Sequence, residues 1–78
     1  MQVTRDDIIG IIREAKVVES PEALRSDVSL TDQGIDSLGM FSVVLALQEK
    51  YAIEIPESDI DGLNSINDFI GYLSKCLT

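Results

Sequence analysis

Apolar residues recur at helical spacing in three stretches of the chain, separated by polar runs that carry glycine, proline and serine. In the first, Ile8, Ile12 and Ala15 share a face, flanked by Ile9, Ile11 and Val18. Thr4 with Asp7 three residues on resembles a capping box, with Asp in the usual Glu place, so the pattern predicts a helix from about Arg5 to Val17. Gly10 within it costs up to about 1 kcal/mol against Ala, or marks a close helix contact. The second stretch predicts a helix from about Ser37 to Lys50. At about 100° per residue, Met40, Val43, Val44, Leu47 and Tyr51 fall on one face and read as core. Leu38, Phe41 and Leu45 lean to the other side, beside Ser42, Gln48 and Glu49. Leu38 and Leu45 are expected to be exposed, whereas Phe41, lying between the stripes, is expected in the core. In the third stretch Ser65 and Asp68 form another capping box, and Ile66, Phe69, Ile70, Leu73 and Leu77 keep the spacing of an amphipathic helix.

The connections are less regular. From Glu19 to Asp36 the pattern weakens, and Ser20 with Pro21 at a first helical position predicts no more than a turn over Glu22 to Leu24. The rest reads as a long loop whose Leu24, Val28, Leu30 and Ile35 pin it to the core. Loops of this length in compact domains tend to be functional or mobile, and this one delivers Ser37. Ile53 and Ile55 alternate with Glu54 in a second connector, and Pro56 restarts the chain before a short helix over Ser58 to Gly62. There is no internal repeat, low-complexity tract or linker. The predicted fold is all-α: a small, irregular four-helix bundle of three main helices and one short one, as a single domain over residues 1–78.

Composition narrows the possibilities. At 78 residues a single core is only just sufficient, burying roughly 60% of the chain's surface, so an internal catalytic cleft is hard to fit. Hydrophobic residues make up 45% and aromatic ones only 5%, with no tryptophan, which predicts a mostly aliphatic core. The formal net charge is −8 and is spread evenly, −4 over residues 1 to 36 and −4 over residues 37 to 78. This argues against nucleic acid and anionic membrane as partners, since both need a basic footprint. It suits partners with basic docking surfaces, although solubility alone accounts for acidity in most small acidic proteins. Cys76 is the single cysteine, which excludes an internal disulfide and a cysteine metal cluster; it reads as a semi-buried helix residue. No stretch is long and apolar enough to span a membrane, and residues 1 to 7 lack signal-peptide features, which points to a reducing cytoplasm.

The chain contains no histidine, so no Ser-His-Asp triad, Cys-His pair or histidine metal site can form within it. Ser37 has only Asp36 and Asp32 nearby, and an exposed carboxylate is a poor base for an alcohol. Ser37 therefore reads as a substrate for modification rather than a nucleophile, and the chain as a non-enzyme. A helix N-terminus carries roughly half a positive charge and outward N–H groups, which suits a phosphate ester on a first-turn serine. Plain capping by Asp36 and Ser37 is the competing reading. Asp59-Ile60-Asp61-Gly62 invites comparison with a calcium loop, but Leu63, Asn64 and Ile70 stand where an oxygen ligand, a glycine and a bidentate glutamate are needed.

Gly34-Ile35-Asp36-Ser37-Leu38, the helix ending Leu47-Gln48-Glu49-Lys50-Tyr51 and the segment Ile53-Glu54-Ile55-Pro56 resemble an acyl carrier protein, and the likeness extends over nearly the whole chain. The resemblance implies a phosphopantetheine arm on Ser37, attached by a phosphopantetheinyl transferase, whose thiol holds acyl or aminoacyl cargo as a thioester. It gives Asp36 and Leu38 to transferase recognition, with Asp36 on the transferase's metal ion. It makes Leu38, Phe41 and Leu45 a landing strip, with Glu49, Glu54, Glu57, Asp59 and Asp61 facing partners. Those partners would be an acyl-loading ligase or acyltransferase and synthase enzymes with basic docking surfaces, in fatty acid, polyketide or related biosynthesis. The short helix would line a cargo pocket, and the protein would be a free-standing monomer. Two departures qualify the pathway. Carriers of fatty acid synthesis are rich in acids just after the motif, whereas here Gly39-Met40-Phe41-Ser42 follows and the first acid is Glu49. Gly39 and the ending Leu45-Ala46-Leu47-Gln48 are similar to carriers dedicated to amino acids, such as D-alanyl carriers. Peptidyl carriers usually show Gly-Gly before their motif, and Gly34-Ile35 here is closer to the acyl group. A reading of another class is a helical interaction adaptor that uses Leu38, Phe41 and Leu45 without modification.

Overall fold

The computed structural model describes residues 2–77. Its helices are α1 (Arg5–Ala15), α2 (Ser37–Tyr51), α3 (Glu57–Ile60) and α4 (Ile66–Cys76), with single 3₁₀ turns at Pro21–Ala23 and Thr31–Gln33. No strand occurs among the described residues. The fold is the all-helical bundle of three main helices and a short one that the periodicity predicts.

Both capping boxes are present. Thr4 Oγ1 accepts from the Asp7 N–H at 3.3 Å and Asp7 Oδ2 accepts from the Thr4 N–H at 3.0 Å. At α4, Ser65 Oγ accepts from the Asp68 N–H at 3.2 Å, and Asp68 Oδ2 accepts from Ser65 at 3.1 Å and Asn64 at 3.0 Å. These satisfy backbone donors that a helix start otherwise leaves open, so both helices begin where the sequence places them. The ends differ by a residue or two. α1 stops at Ala15 because Lys16 turns into the left-handed region (φ 56) and donates its N–H to Arg13 O. The β-branched Val17 and Val18 gain little from a helix and pack half-buried against the core instead. α2 runs one residue further, to Tyr51, and Ala52 closes it with a left-handed cap (φ 54). α3 starts one residue early, directly after Pro56, and ends at Ile60, so Asp61 and Gly62 lie beyond it.

The core sits among α1, α2 and α4. Ile8, Ile11, Ile12, Val43, Val44, Leu47, Ile66, Phe69 and Leu73 are all buried, joined by Leu30 and Ile35 from the long loop. Phe69 is the one aromatic side chain among the buried residues, as the composition requires. Burying each of these side chains contributes about 1.5–3 kcal/mol.

The long loop is held at several points. Leu24, Leu30 and Ile35 are buried and Val28 half-buried. The Leu30 N–H donates to Asn64 O at 2.7 Å and the Asn67 N–H to Ser26 O at 3.0 Å. The Gln33 amide braces the bend, accepting from Arg25 N–H at 2.7 Å and donating to Arg25 O at 3.0 Å and Val28 O at 2.9 Å. From α1, the Arg5 guanidinium reaches Ser26 Oγ at 2.9 Å and Leu24 O at 2.7 Å. Arg5 and Gln33 carry no sequence signal of this role, because each bonds to loop groups brought near only by folding.

Candidate functional site

The site starts with the way α2 begins. After the Thr31–Gln33 turn, Gly34 takes a positive φ of 102°, a conformation that a side chain disfavours. Ile35 then points inward, 1% exposed, and anchors the chain. Asp36 is the N-cap: its Oδ1 accepts from the Gly39 N–H at 2.7 Å. Gly39 is itself buried. A Cβ there would lie 2.8 Å from Ile35 Cγ2 and 3.2 Å from Asp36 Oδ1, so the first turn is packed too closely for a larger residue. Ser37 is therefore the first helical residue and is exposed.

This arrangement fits a phosphate ester on Ser37. The hydroxyl is exposed, the N–H groups of the first turn lack intrahelical acceptors, and the positive end of the helix dipole lies beneath. It does not fit self-activation. No base hydrogen-bonds Ser37 Oγ among the described residues, and the adjacent carboxylate is engaged with Gly39.

Ser37 borders a groove of about 300 Å³ whose apolar lining comes from Met40, Phe41 and Val44 of α2, Ile60 of α3 and Leu63, with polar Thr31, Asp61 and Asn64 completing it. Asp61 and Ile60 sit opposite Phe41, and beyond it Glu57 and Ser58 border a further notch of about 370 Å³. Sequence periodicity alone does not reveal this groove, because its two walls come from segments with no spacing relation to each other.

Leu38, Phe41 and Leu45 are 77%, 55% and 44% exposed. The expectation that Phe41 belongs to the core is thus incorrect. Val43, Val44 and Leu47, each at most 1% exposed, form the face of α2 that enters the core, and the Phe41 ring is left on the surface as a wall of the groove. Cys76 is also exposed rather than semi-buried. It closes α4 after Leu73, the last buried residue of that helix.

The acidic positions divide into two groups. Glu57 and Asp61 lie beside Phe41 and the groove, near Ser37. Glu49 stands twelve residues along α2 from Ser37, about 18 Å at 1.5 Å per residue, and Glu54 follows the C-terminal cap of that helix. Both are exposed, but they mark the far end of α2. Asp59 on α3 has a role that the sequence does not announce: its Oδ2 accepts from Tyr72 Oη at 2.8 Å. That hydrogen bond, with smaller effects of burial and of the Asp59 and Cys76 charges, pushes the Tyr72 phenol up to about 12. Burial, and to a lesser degree the Asp7 charge, raises the Tyr51 phenol as well.

The signature of the family described as "Phosphopantetheine attachment site" matches residues 6–73 of the chain. The meromycolate extension acyl carrier protein of Mycobacterium tuberculosis (strain H37Rv) is 33% identical over 79 residues, spanning 96% of this chain and 69% of that protein. The acyl carrier protein of Campylobacter curvus is 37% identical over 71 residues, spanning 90% of this chain and 91% of that protein. That of Campylobacter jejuni (strain RM1221) is 33% identical over 72 residues, spanning 92% and 94%. From the first turn of α1 to the last buried residue of α4, then, the chain belongs to the acyl carrier proteins, non-catalytic carriers that hold acyl chains on a phosphopantetheine arm.

Proposed function

We propose that Ser37 is the attachment point of the arm and that residues 1–78 work as one monomeric carrier domain in the cytoplasm. The observation that carries this reading is an exposed hydroxyl at the first position of α2, beside an apolar groove, in a helix start whose geometry Asp36 and Gly39 hold. A phosphopantetheinyl transferase supplies the base that the chain lacks. Ser37 Oγ attacks the coenzyme A pyrophosphate, the bridging P–O bond breaks, adenosine 3′,5′-bisphosphate leaves, and the hydroxyl proton passes to the transferase. The chain's part is to hold Oγ clear of competing hydrogen bonds and to offer Asp36, whose second oxygen is available to the transferase's metal ion. Leu38 flanks the site as the most exposed large apolar residue and serves as the recognition contact.

The arm, once attached, supplies a thiol that carries the acyl group as a thioester. Partner enzymes, an acyl-loading ligase or acyltransferase and the synthases that use the cargo, dock on the ridge of Leu38, Phe41 and Leu45. Between Ser37 and Glu49, α2 carries no charge, so apolar contact supplies most of the hold there. Glu57 and Asp61 beside Phe41 meet basic groups at the edge, Asp59 contributes less because Tyr72 engages it, and Glu49 and Glu54 offer a separate contact at the far end. Acyl cargo in fatty acid, polyketide or related lipid biosynthesis is favoured over D-alanine, because the relatives are named as acyl and meromycolate extension carriers. The close packing of Gly39 also gives that residue a structural reason independent of aminoacyl carriers.

Incubating the protein with coenzyme A and a broad-specificity phosphopantetheinyl transferase tests the assignment by intact mass. The expected result is a gain of one phosphopantetheine, abolished in Ser37→Ala. Folded protein that gains no mass with several transferases would favour an unmodified helical adaptor and leave Ser37 as part of a helix cap.

A further inference from the structure

Next to Ser37, α3 is the least anchored element. It has four residues, and its N-cap Pro56 makes no side-chain cap bond. Every N–H from Asp59 to Leu63 donates to a carbonyl within Pro56–Ile60, so the backbone of this segment hydrogen-bonds only to itself through those donors. A side-chain hydrogen bond from Tyr72 Oη on α4 to Asp59 Oδ2 ties α3 to another element.

The helix also separates two spaces. On its α2 side, Ile60 and Asp61 wall the groove at Ser37 across from Phe41. On its α4 side, Ser58 and Asp59 border a second groove, about 440 Å³, whose opposite wall includes Gly71 and Tyr72, and Leu63 borders both. Two influences act on α3 in opposite directions. The half-exposed Phe41 and partly buried Met40 and Ile60 would lose apolar surface to water if α3 closed onto α2, and burial of apolar area is favourable. The Tyr72–Asp59 bond holds α3 toward α4 and opposes that closure.

We propose that Tyr72 is a positioning residue that keeps the groove at Ser37 open, and thereby sets the length of acyl chain the protein can shelter. With the bond made, the groove retains room for the alkyl part of the cargo. Without it, α3 settles on Phe41 and Met40, the space narrows, and a longer chain is returned to water. A short cargo, which needs little of the groove, is indifferent to the change. The inference rests on Ser37 as the attachment point.

The test uses the full chain as wild type, Tyr72→Phe and Asp59→Asn, each charged with acetyl or octanoyl cargo and checked by intact mass. Cleavage of the thioester by hydroxylamine reports how far the cargo is sheltered. Tyr72→Phe keeps the ring and its packing and removes only the donor. It should speed cleavage of the octanoyl form about fivefold relative to the acetyl form, the factor that corresponds to one hydrogen bond of ordinary worth. Asp59→Asn keeps an acceptor oxygen and should hold the wild-type ratio. In the uncharged protein, amide exchange at Asp59 to Leu63 should accelerate in Tyr72→Phe while α1 and α2 keep their protection. An unchanged octanoyl-to-acetyl ratio in a properly charged Tyr72→Phe, or equal acceleration of both cargoes, would overturn the proposal and leave the attachment reading standing. Wild-type protein that accepts no arm would remove both.

Discussion

Gly39→Ala places two effects of known size in opposition. Alanine in place of a helical glycine ordinarily gains up to about 1 kcal/mol. Here the new Cβ would stand 2.8 Å from Ile35 Cγ2 and 3.2 Å from both Asp36 Oδ1 and Val17 Cβ. Carbon pairs are most favourable at about 3.5–4.0 Å, and Ile35, which is buried, cannot swing aside. Overpacking of this kind costs about 1–3 kcal/mol. Shifting Asp36 also weakens the 2.7 Å cap to the Gly39 N–H, and loss of a cap costs about 1 kcal/mol. The sum is a net loss of about 1–3 kcal/mol, or a fall in Tm of about 5–20 °C for a domain of this size. Thermal melting followed by circular dichroism measures it directly, and transfer of the arm by a broad-specificity transferase should slow in parallel, since the displaced residue adjoins Ser37. Replacing Ile35 by Leu in the same protein removes the offending methyl branch and should recover part of the loss. A Gly39→Ala protein that melts at or above the wild-type temperature would refute the packing account and leave only the propensity term.

Three other outcomes follow from the same structure. Leu38→Ala should slow arm transfer while helicity and Tm stay near wild type, because the side chain is 77% exposed and surface changes usually stay within about 0.5 kcal/mol; unchanged transfer kinetics would remove Leu38 from the recognition surface. With a net charge of −8, Tm should rise on addition of sodium chloride or magnesium as self-repulsion is screened, and a Tm indifferent to both would show that repulsion costs little. The raised phenol of Tyr72 means that its bond to Asp59 supports the fold below the ordinary tyrosine range near 10 and is lost as pH climbs through about 12. Phenolate absorbance should accordingly show a late-titrating tyrosine that disappears in Tyr72→Phe and moves to lower pH in Asp59→Ala; a Tyr72 that titrates like free tyrosine would contradict the bond.

α1 and α4 were legible down to their first residues, because capping boxes and i, i+3, i+4 spacing are local and each is satisfied within one turn. Ser37 was legible for the same reason: an N-terminal helix position follows from the residues on either side of it. The exposure of Phe41 is not legible in the sequence, because periodicity assigns a direction, whereas burial depends on whether another element arrives to cover that direction. The four-residue α3 comes near across the groove but leaves the ring 55% exposed. The exposure of Cys76 is hidden for the same reason: Leu73 and Leu77 pack on the core, and Cys76 between them is left on the surface. The loop from Glu19 to Asp36 showed its apolar anchors in the sequence, but the Gln33 and Arg5 hydrogen bonds that brace it join residues with no recognisable pattern.

Local patterning was thus enough to establish an all-helical fold, the start of each main helix, an aliphatic core and the serine at the head of α2. Those properties depend on composition or on neighbours within a turn. Tertiary packing decided which α2 residues stay exposed, why position 39 has room only for glycine, where a groove opens beside Ser37, and that Tyr72 reaches across to Asp59. Each of these requires two segments distant in sequence to meet at a distance of a few ångströms, and that distance is set by how the whole bundle fills its core.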